Sequence, residues 1–198
     1  EEDTPRRLDS VGTLQRYRID RLGCPLIEIA TEPDLKSPAH AREVAEAIGT
    51  ALRATGKAKR GIGTIRQDLN VSIREGARVE IKGVQELRLV EPAIQWEVER
   101  QHHLVEIRRE LLAHGAKDAD YEQPVVDLTE SFRASAAKMI STAIAAGQGV
   151  HGVRVPHLAG KLGKKGKEET PPPRVGRELA DYAKARAGAA VVLDVKTG

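Results

Sequence analysis

The clearest alternation of apolar and polar positions lies between Gly63 and Arg74. Leu69, Val71 and Ile73 are apolar, and the side chains between them are polar. A period of two predicts a β-strand with one face in a core and the other face open to solvent. Residues 25–30 and 78–83 alternate in the same way and predict two further strands. Gly76 predicts the turn of a hairpin between the second and third of these strands.

The polar positions of these three strands are chemically unusual. If the strands share one sheet, their polar positions converge on one surface that carries Glu28, Asp68, Glu80, Arg66, Asn70 and Lys82. Carboxylates mixed with cations are what a site for magnesium and phosphate requires. The alternative is a solvated sheet face on which these charges do nothing further, and the pattern alone does not favour either interpretation.

Helical periodicity dominates the rest of the first half of the chain. Residues 37–56 predict an amphipathic helix that starts at an N-cap serine followed by proline and ends at a glycine. A longer helix is predicted over residues 90–114, beginning near Pro92. Before these helices, residues 1–10 predict an irregular entry and residues 13–20 a weak strand.

A polar stretch at residues 116–123 predicts a domain boundary. Beyond it, the patterns predict strands at 125–128, 150–155 and 189–195 and helices at 134–146 and 177–186. Residues 160–176 are rich in lysine, glycine and proline and predict an exposed basic loop.

Composition narrows the class of protein. The chain has 198 residues, 40% apolar and 31% charged, which is ordinary for one large or two small globular domains. Aromatic residues make up only 3%, which argues against a binder that stacks single-stranded bases. The net charge is +3, and four lysines cluster in the basic loop: Lys161, Lys164, Lys165 and Lys167. Such a loop favours contacts with nucleic-acid phosphates over base readout.

Cysteine usage and hydropathy bear on the compartment. Cys24 is the only cysteine, so an intramolecular disulfide and a cysteine-rich zinc site are excluded. The sequence has no signal peptide and no apolar run approaching ~18 residues, so we expect a cytoplasmic protein without membrane contact. The chain begins at Glu1 without a methionine and ends directly after a strand-like run, and we expect it to be a fragment.

Three blocks carry a resemblance to a known family: RLGCPLIEIATEPD, GTIRQDLNVSIR and VEIKGVQEL. Together and in this order they resemble the GatB/GatE family of tRNA-dependent amidotransferase subunits. The region after Gln123, which begins VVDLTESFR, resembles the inserted domain that archaeal E subunits share with bacterial aspartyl-tRNA synthetases. This insert makes the chain more similar to the E subunits than to the B subunits of bacteria and organelles.

The resemblance implies an α+β fold. Residues 1–122 would form a cradle-like catalytic domain, a sheet with packed helices similar in shape to glutamine synthetase. Residues 123–198 would form a small α/β insert domain, and both domains would be incomplete. The implied enzyme is a carbon–nitrogen ligase with glutamine as amido donor, which uses ATP and Mg²⁺ to phosphorylate the glutamate of Glu-tRNA(Gln). Ammonia from an asparaginase-like D subunit would then displace the phosphate and give Gln-tRNA(Gln).

The resemblance also implies residue roles. Glu28, Asp68 and Glu80 would be the catalytic and metal-binding residues. Arg66, Asn70 and Lys82 would contact ATP phosphates or glutamate. Family members carry an N-terminal strand with a Glu-Ile-His element and C-terminal tRNA-binding domains, both absent here, so we expect an incomplete active site. Two alternatives stay open, a non-catalytic tRNA-binding scaffold and an ATP-dependent amide ligase outside translation.

Overall fold

The computed structural model describes residues 5–61, 63–162 and 175–189 as an α+β chain. Within these residues the strands pair only as three two-stranded antiparallel sheets. The strands are β1 (Arg6–Val11), β2 (Leu14–Arg18), β3 (Leu69–Val71), β4 (Val79–Ile81), β5 (Val126–Asp127) and β6 (His151–Gly152). The helices are α1 (Pro38–Ala54), α2 (Leu87–Ala113), α3 (Lys138–Ala145) and α4 (Val175–Ala187), with short 3₁₀ turns at Asp118–Tyr121 and Glu130–Phe132.

The first sheet is the hairpin β1–β2, which turns through Gly12 at φ 60°. The strand predicted over residues 13–20 is confirmed as β2, but the prediction that residues 1–10 are irregular is wrong for those in β1. The error has a physical reason. None of the side chains of β1 is buried, so no apolar face marks the strand in the sequence, and pairing with β2 defines it instead.

Helix α1 forms as its sequence predicts. The Ser37 hydroxyl accepts a hydrogen bond from the backbone N–H of His40 at 3.2 Å, and Pro38 occupies the first helical position. Gly56 follows the helix at φ 68°. The apolar face of α1 brings Ala41 into the core.

The main core lies between α1, α2 and the hairpin β3–β4. Val90 is fully buried, and Ala41 and Val84 are buried beside it. Partly buried apolar residues surround these three: Leu35, Leu69, Ile81, Ala93 and Ile94. An ion pair between Arg42 Nε and Glu91 Oε1 at 2.7 Å joins the two helices. The hairpin therefore rests on a two-helix layer.

Helix α2 begins at Leu87, three residues before the predicted range of 90–114, and Pro92 lies inside it. Proline removes one backbone hydrogen bond near the N-terminus of a helix, and here the burial of Val90 holds the preceding turn in place. The predicted end before Gly115 is confirmed to within one residue.

The predicted strand at residues 25–30 is wrong. Pro25 forms an isolated bridge, and residues 26–30 are irregular. Ile27 is 85% exposed and Ile29 51% exposed, so the segment has no buried face among the described residues. Three strands do not form one sheet here, contrary to the sequence expectation.

The region after Gln123 contains shorter elements than predicted. Two-residue strands stand where strands were predicted at 125–128 and 150–155, and α3 covers eight of the residues predicted as helix 134–146. Hydrogen bonds from the Thr129 side chain, and then from its backbone, hold the pKa of Asp127 below its ordinary value. The predicted helix 177–186 is confirmed as α4. Most of the predicted strand 189–195 and residues 163–174 of the basic loop lie outside the described residues.

None of the helices in the described ranges combines the length and the apolar character that crossing a bilayer requires.

Candidate functional site

The hairpin β3–β4 carries the candidate site on one face. Its register pairs Leu69 with Ile81, Asn70 with Glu80 and Val71 with Val79. The apolar members of these pairs are buried or half-buried, whereas Asn70 and Glu80 are exposed. Asp68 and Lys82 continue the same alternation by one step on each strand and are exposed as well. The hairpin thus brings four of the predicted site residues onto one solvent-facing surface, which we call the hairpin face: Asp68, Asn70, Glu80 and Lys82.

Local contacts hold two of the charges on this face. Asp68 Oδ1 accepts a hydrogen bond from the backbone N–H of Gly83 at 2.8 Å. Gly83 has φ 75°, a left-handed conformation that favours glycine and that presents its N–H to the carboxylate. Lys82 Nζ lies 3.3 Å from Glu80 Oε2. An ionised carboxylate can accept about four hydrogen bonds, so Asp68 and Glu80 can each still accept from a ligand.

Glu28 and Arg66 are placed differently. Glu28 lies in the irregular segment after Pro25 and is exposed, and Arg66 is exposed three residues before β3. In the described ranges, no group of three or more His, Cys, Asp or Glu side chains is arranged to hold a metal ion. Glu28, Asp68 and Glu80 therefore do not form a three-carboxylate centre here, although their individual roles stay predictions.

The donor set of the hairpin face still suits a magnesium–phosphate group. Mg²⁺ in nucleotide sites is held through one or two carboxylates, with phosphate oxygens and water as the other ligands. Asp68 and Glu80 offer two exposed carboxylates, and Lys82 offers a cation beside them. Two protein carboxylates are enough for such a group when the nucleotide supplies the remaining oxygens.

The predicted tRNA-binding lysines divide into two sets. Lys161 forms an ion pair with Glu110 on α2, and its side chain is only 21% exposed. That contact neutralises the charge which a nucleic-acid phosphate would need. Lys164, Lys165 and Lys167 lie outside the described residues.

Sequence reasoning missed a polar network that supports the hairpin from behind. The buried side chains of Glu97 and Gln101 on α2 are hydrogen-bonded to each other at 2.8 Å. Arg100 lies 3.0 Å from Glu97, and its guanidinium makes a two-point contact with Glu178 of α4 at 2.8 and 2.9 Å. The hydrogen bonds to Glu178 raise the pKa of Arg100 above its ordinary value. The only signal of this network in the sequence is that two polar residues, Glu97 and Gln101, lie one helix turn apart within an apolar stripe.

Comparison with known proteins shows the family of this chain. The family model described as the GatB/GatE catalytic domain matches residues 1–185, and the chain belongs to this family. The match runs across the predicted boundary after residue 122, and the division into two domains there stays a prediction.

Individual relatives agree with the family. The chain is 46% identical over 188 residues to the E subunit of the glutamyl-tRNA(Gln) amidotransferase from Methanocaldococcus jannaschii, covering 95% of this chain and 29% of that protein. It is 50% identical over 184 residues to the protein of the same name from Methanosarcina barkeri, covering 93% of this chain and 28% of that protein. The corresponding protein of Pyrococcus abyssi is 48% identical over 184 residues, again 93% of this chain and 29% of the relative. The chain thus spans less than a third of the length of the curated relatives it matches.

Proposed function

We propose that this chain is part of a subunit that phosphorylates the glutamate of Glu-tRNA(Gln) with ATP and converts the product, with ammonia, into Gln-tRNA(Gln). The observation that carries the proposal is the hairpin face, which presents two carboxylates and a cation inside a match to the GatB/GatE catalytic domain. The names of the relatives support the substrate tRNA and the amidotransferase reaction. An asparaginase-like D subunit is the proposed source of ammonia.

Each residue of the face has a proposed task. Asp68 and Glu80 would hold Mg²⁺, and Glu28 is the third predicted carboxylate. Bound Mg²⁺ would neutralise phosphate charge, which is the main requirement of phosphoryl transfer. Lys82 and Arg66 would offset charge on the phosphate oxygens, and the Asn70 amide would orient a phosphate or the glutamate carboxylate. The hydrogen bond from Gly83 supports the role of Asp68 because it fixes the orientation of that carboxylate.

Contacts across the predicted boundary bear on the domain organisation. Arg100 and Glu178 join α2 to α4, and Lys161 pairs with Glu110 of α2. Both contacts, with the single family match over residues 1–185, support one catalytic domain that includes α4. We propose this arrangement in place of the division into a cradle and an insert.

The proposed reaction predicts that the complete protein hydrolyses ATP only with its aminoacylated tRNA. We expect ATP hydrolysis to require Glu-tRNA(Gln), and uncharged tRNA(Gln) to give only the background rate, because the glutamate carboxylate is the phosphoryl acceptor. The measurement is steady-state phosphate release with each tRNA in turn. Hydrolysis that ignores tRNA would favour an amide ligase outside translation. Tight tRNA binding without hydrolysis would favour the scaffold.

The basic loop predicts a salt-dependent contact with tRNA. We expect replacement of Lys164, Lys165 and Lys167 by Ala to weaken binding and to lower the slope of log K against log salt concentration by about one for each phosphate that is no longer bound. Lys161→Ala is the matched control and should leave the slope unchanged, because Glu110 already neutralises Lys161. Titration of binding across salt concentrations measures both. An unchanged slope in the triple variant would leave an ordinary solvated loop as the better account.

A further inference from the structure

At the end of β3 and just beyond it, the backbone is hydrogen-bonded to a side chain of α2 in place of another strand. Gln101 of α2 is 4% exposed, and its amide spans two backbone groups of the hairpin. Gln101 Nε2 donates to the carbonyl oxygen of Val71 at 3.2 Å, and Gln101 Oε1 accepts from the N–H of Ile73 at 3.3 Å. A residue on a neighbouring parallel strand would make the same pair of contacts, to residues two apart. The carboxamide therefore makes the two hydrogen bonds that one residue of a neighbouring strand would make.

The position of this amide is fixed from two further sides. Gln101 Nε2 also donates to Glu97 Oε1 at 2.8 Å, and Glu97 is held in turn by Arg100 at 3.0 Å. A Cβ atom added to Gly76 would stand 2.1 Å from Gln101 Oε1 and 2.8 Å from Ile73 Cγ1. The φ of Gly76 is not in the left-handed region, so the absence of a side chain there leaves space for the Gln101 amide and the Ile73 side chain.

We propose that Gln101 is a positioning residue for the reaction, which holds the hairpin face in register through the backbone of Val71 and Ile73. This inference rests on the proposed function, since the task assigned to the face is phosphoryl transfer. Val71 is buried next to Asn70, and Asn70 pairs with Glu80 across the hairpin. A shift of the backbone at Val71 therefore moves the side chains of the hairpin face with it. A displacement of about 1 Å in such a face lowers rates by up to about 100-fold.

The experiment uses Gln101→Met and Gln95→Met in the complete protein. Gln95 is exposed on the same helix, so the control makes the same chemical change without removing the hydrogen bonds of Gln101 to the hairpin. We expect Gln101→Met to lower kcat for Glu-tRNA(Gln)-dependent ATP hydrolysis by about 10- to 100-fold and to leave KM for Glu-tRNA(Gln) within about twofold. Hydrogen exchange of peptides within residues 69–81 should rise about 5- to 10-fold, while exchange in α1 stays unchanged.

Gly76→Ala tests the same hydrogen bonds of Gln101 if Gln101→Met does not fold. The added methyl group should displace the Gln101 amide, and both the lower kcat and the faster exchange should be seen again. Because the added methyl group would also stand 2.8 Å from Ile73 Cγ1, Gly76→Ala is compared with Gln101→Met by where exchange rises, which should again be within residues 69–81.

Two results would overturn the proposal. They are a kcat for Gln101→Met equal to that of Gln95→Met, and an exchange increase in Gln101→Met or Gly76→Ala that is spread equally over α1. If the unsubstituted protein shows no tRNA-dependent hydrolysis, the proposed function fails, and the exchange data still decide whether Gln101 holds the hairpin.

Discussion

ATP hydrolysis dependent on Glu-tRNA(Gln) should fall by about 100- to 1000-fold when Asp68 is replaced by Asn in the complete protein. The same loss is expected for Glu28→Gln and Glu80→Gln. The amide introduced by Asp68→Asn keeps an oxygen that can accept the Gly83 N–H, so the hairpin stays intact and only the negative charge is lost. Fold and tRNA affinity should therefore remain close to those of the unsubstituted protein. Phosphate release, circular dichroism and tRNA titration measure the three properties separately.

The control for these charge changes is Glu43→Gln. Glu43 is exposed on α1 and is not part of the hairpin face, so its replacement should leave hydrolysis within about twofold. Near-normal rates in all three site variants would contradict the assignment. A loss confined to Asp68→Asn and Glu80→Gln would keep the hairpin face and remove Glu28 from the site, in agreement with its place outside the sheets.

The hairpin face illustrates what a local pattern can predict. Alternation from Leu69 to Ile73 and from Val79 to Ile81 predicted both the pairing and the exposed side, since a strand has a period of two whatever surrounds it. The turn at Gly76 and the capped start of α1 were predictable for the same reason, because each depends on residues within one turn of itself. The family followed from three ordered blocks, and the match over residues 1–185 confirms it.

Features that depend on distant contacts were not predictable in this way. Residues 26–30 alternate like a strand, but a strand needs a partner, and Ile27 is exposed. Conversely, β1 has no buried face and exists because β2 pairs with it. The contact between Arg100 and Glu178 joins residues 78 positions apart, and no periodicity in either helix predicts it. Long-range polar pairing leaves little trace in a single sequence.

Arg100→Met should lower the free energy of unfolding of the chain by about 2–3 kcal/mol, because it leaves the Glu97 carboxylate buried without its cation. Methionine keeps most of the apolar stem of arginine, so the loss reports on charge and hydrogen bonding more than on packing. Glu178 would also lose its two-point contact, but its side chain is one-third exposed and can be hydrated. Urea unfolding followed by the fluorescence of Trp96, the single tryptophan of the chain, measures the change.

Two companion variants isolate the buried charge as the cause. Arg108 is exposed on the same helix, and Arg108→Met should change stability by less than about 0.5 kcal/mol. Adding Glu97→Gln to Arg100→Met should restore most of the loss, because the neutral amide oxygen can still accept from Gln101 and no longer needs a cation. A double variant as unstable as Arg100→Met alone would show that the contact between α2 and α4, rather than the neutralisation of Glu97, is what Arg100 contributes. A loss no larger than that of Arg108→Met would contradict a structural role for the network altogether.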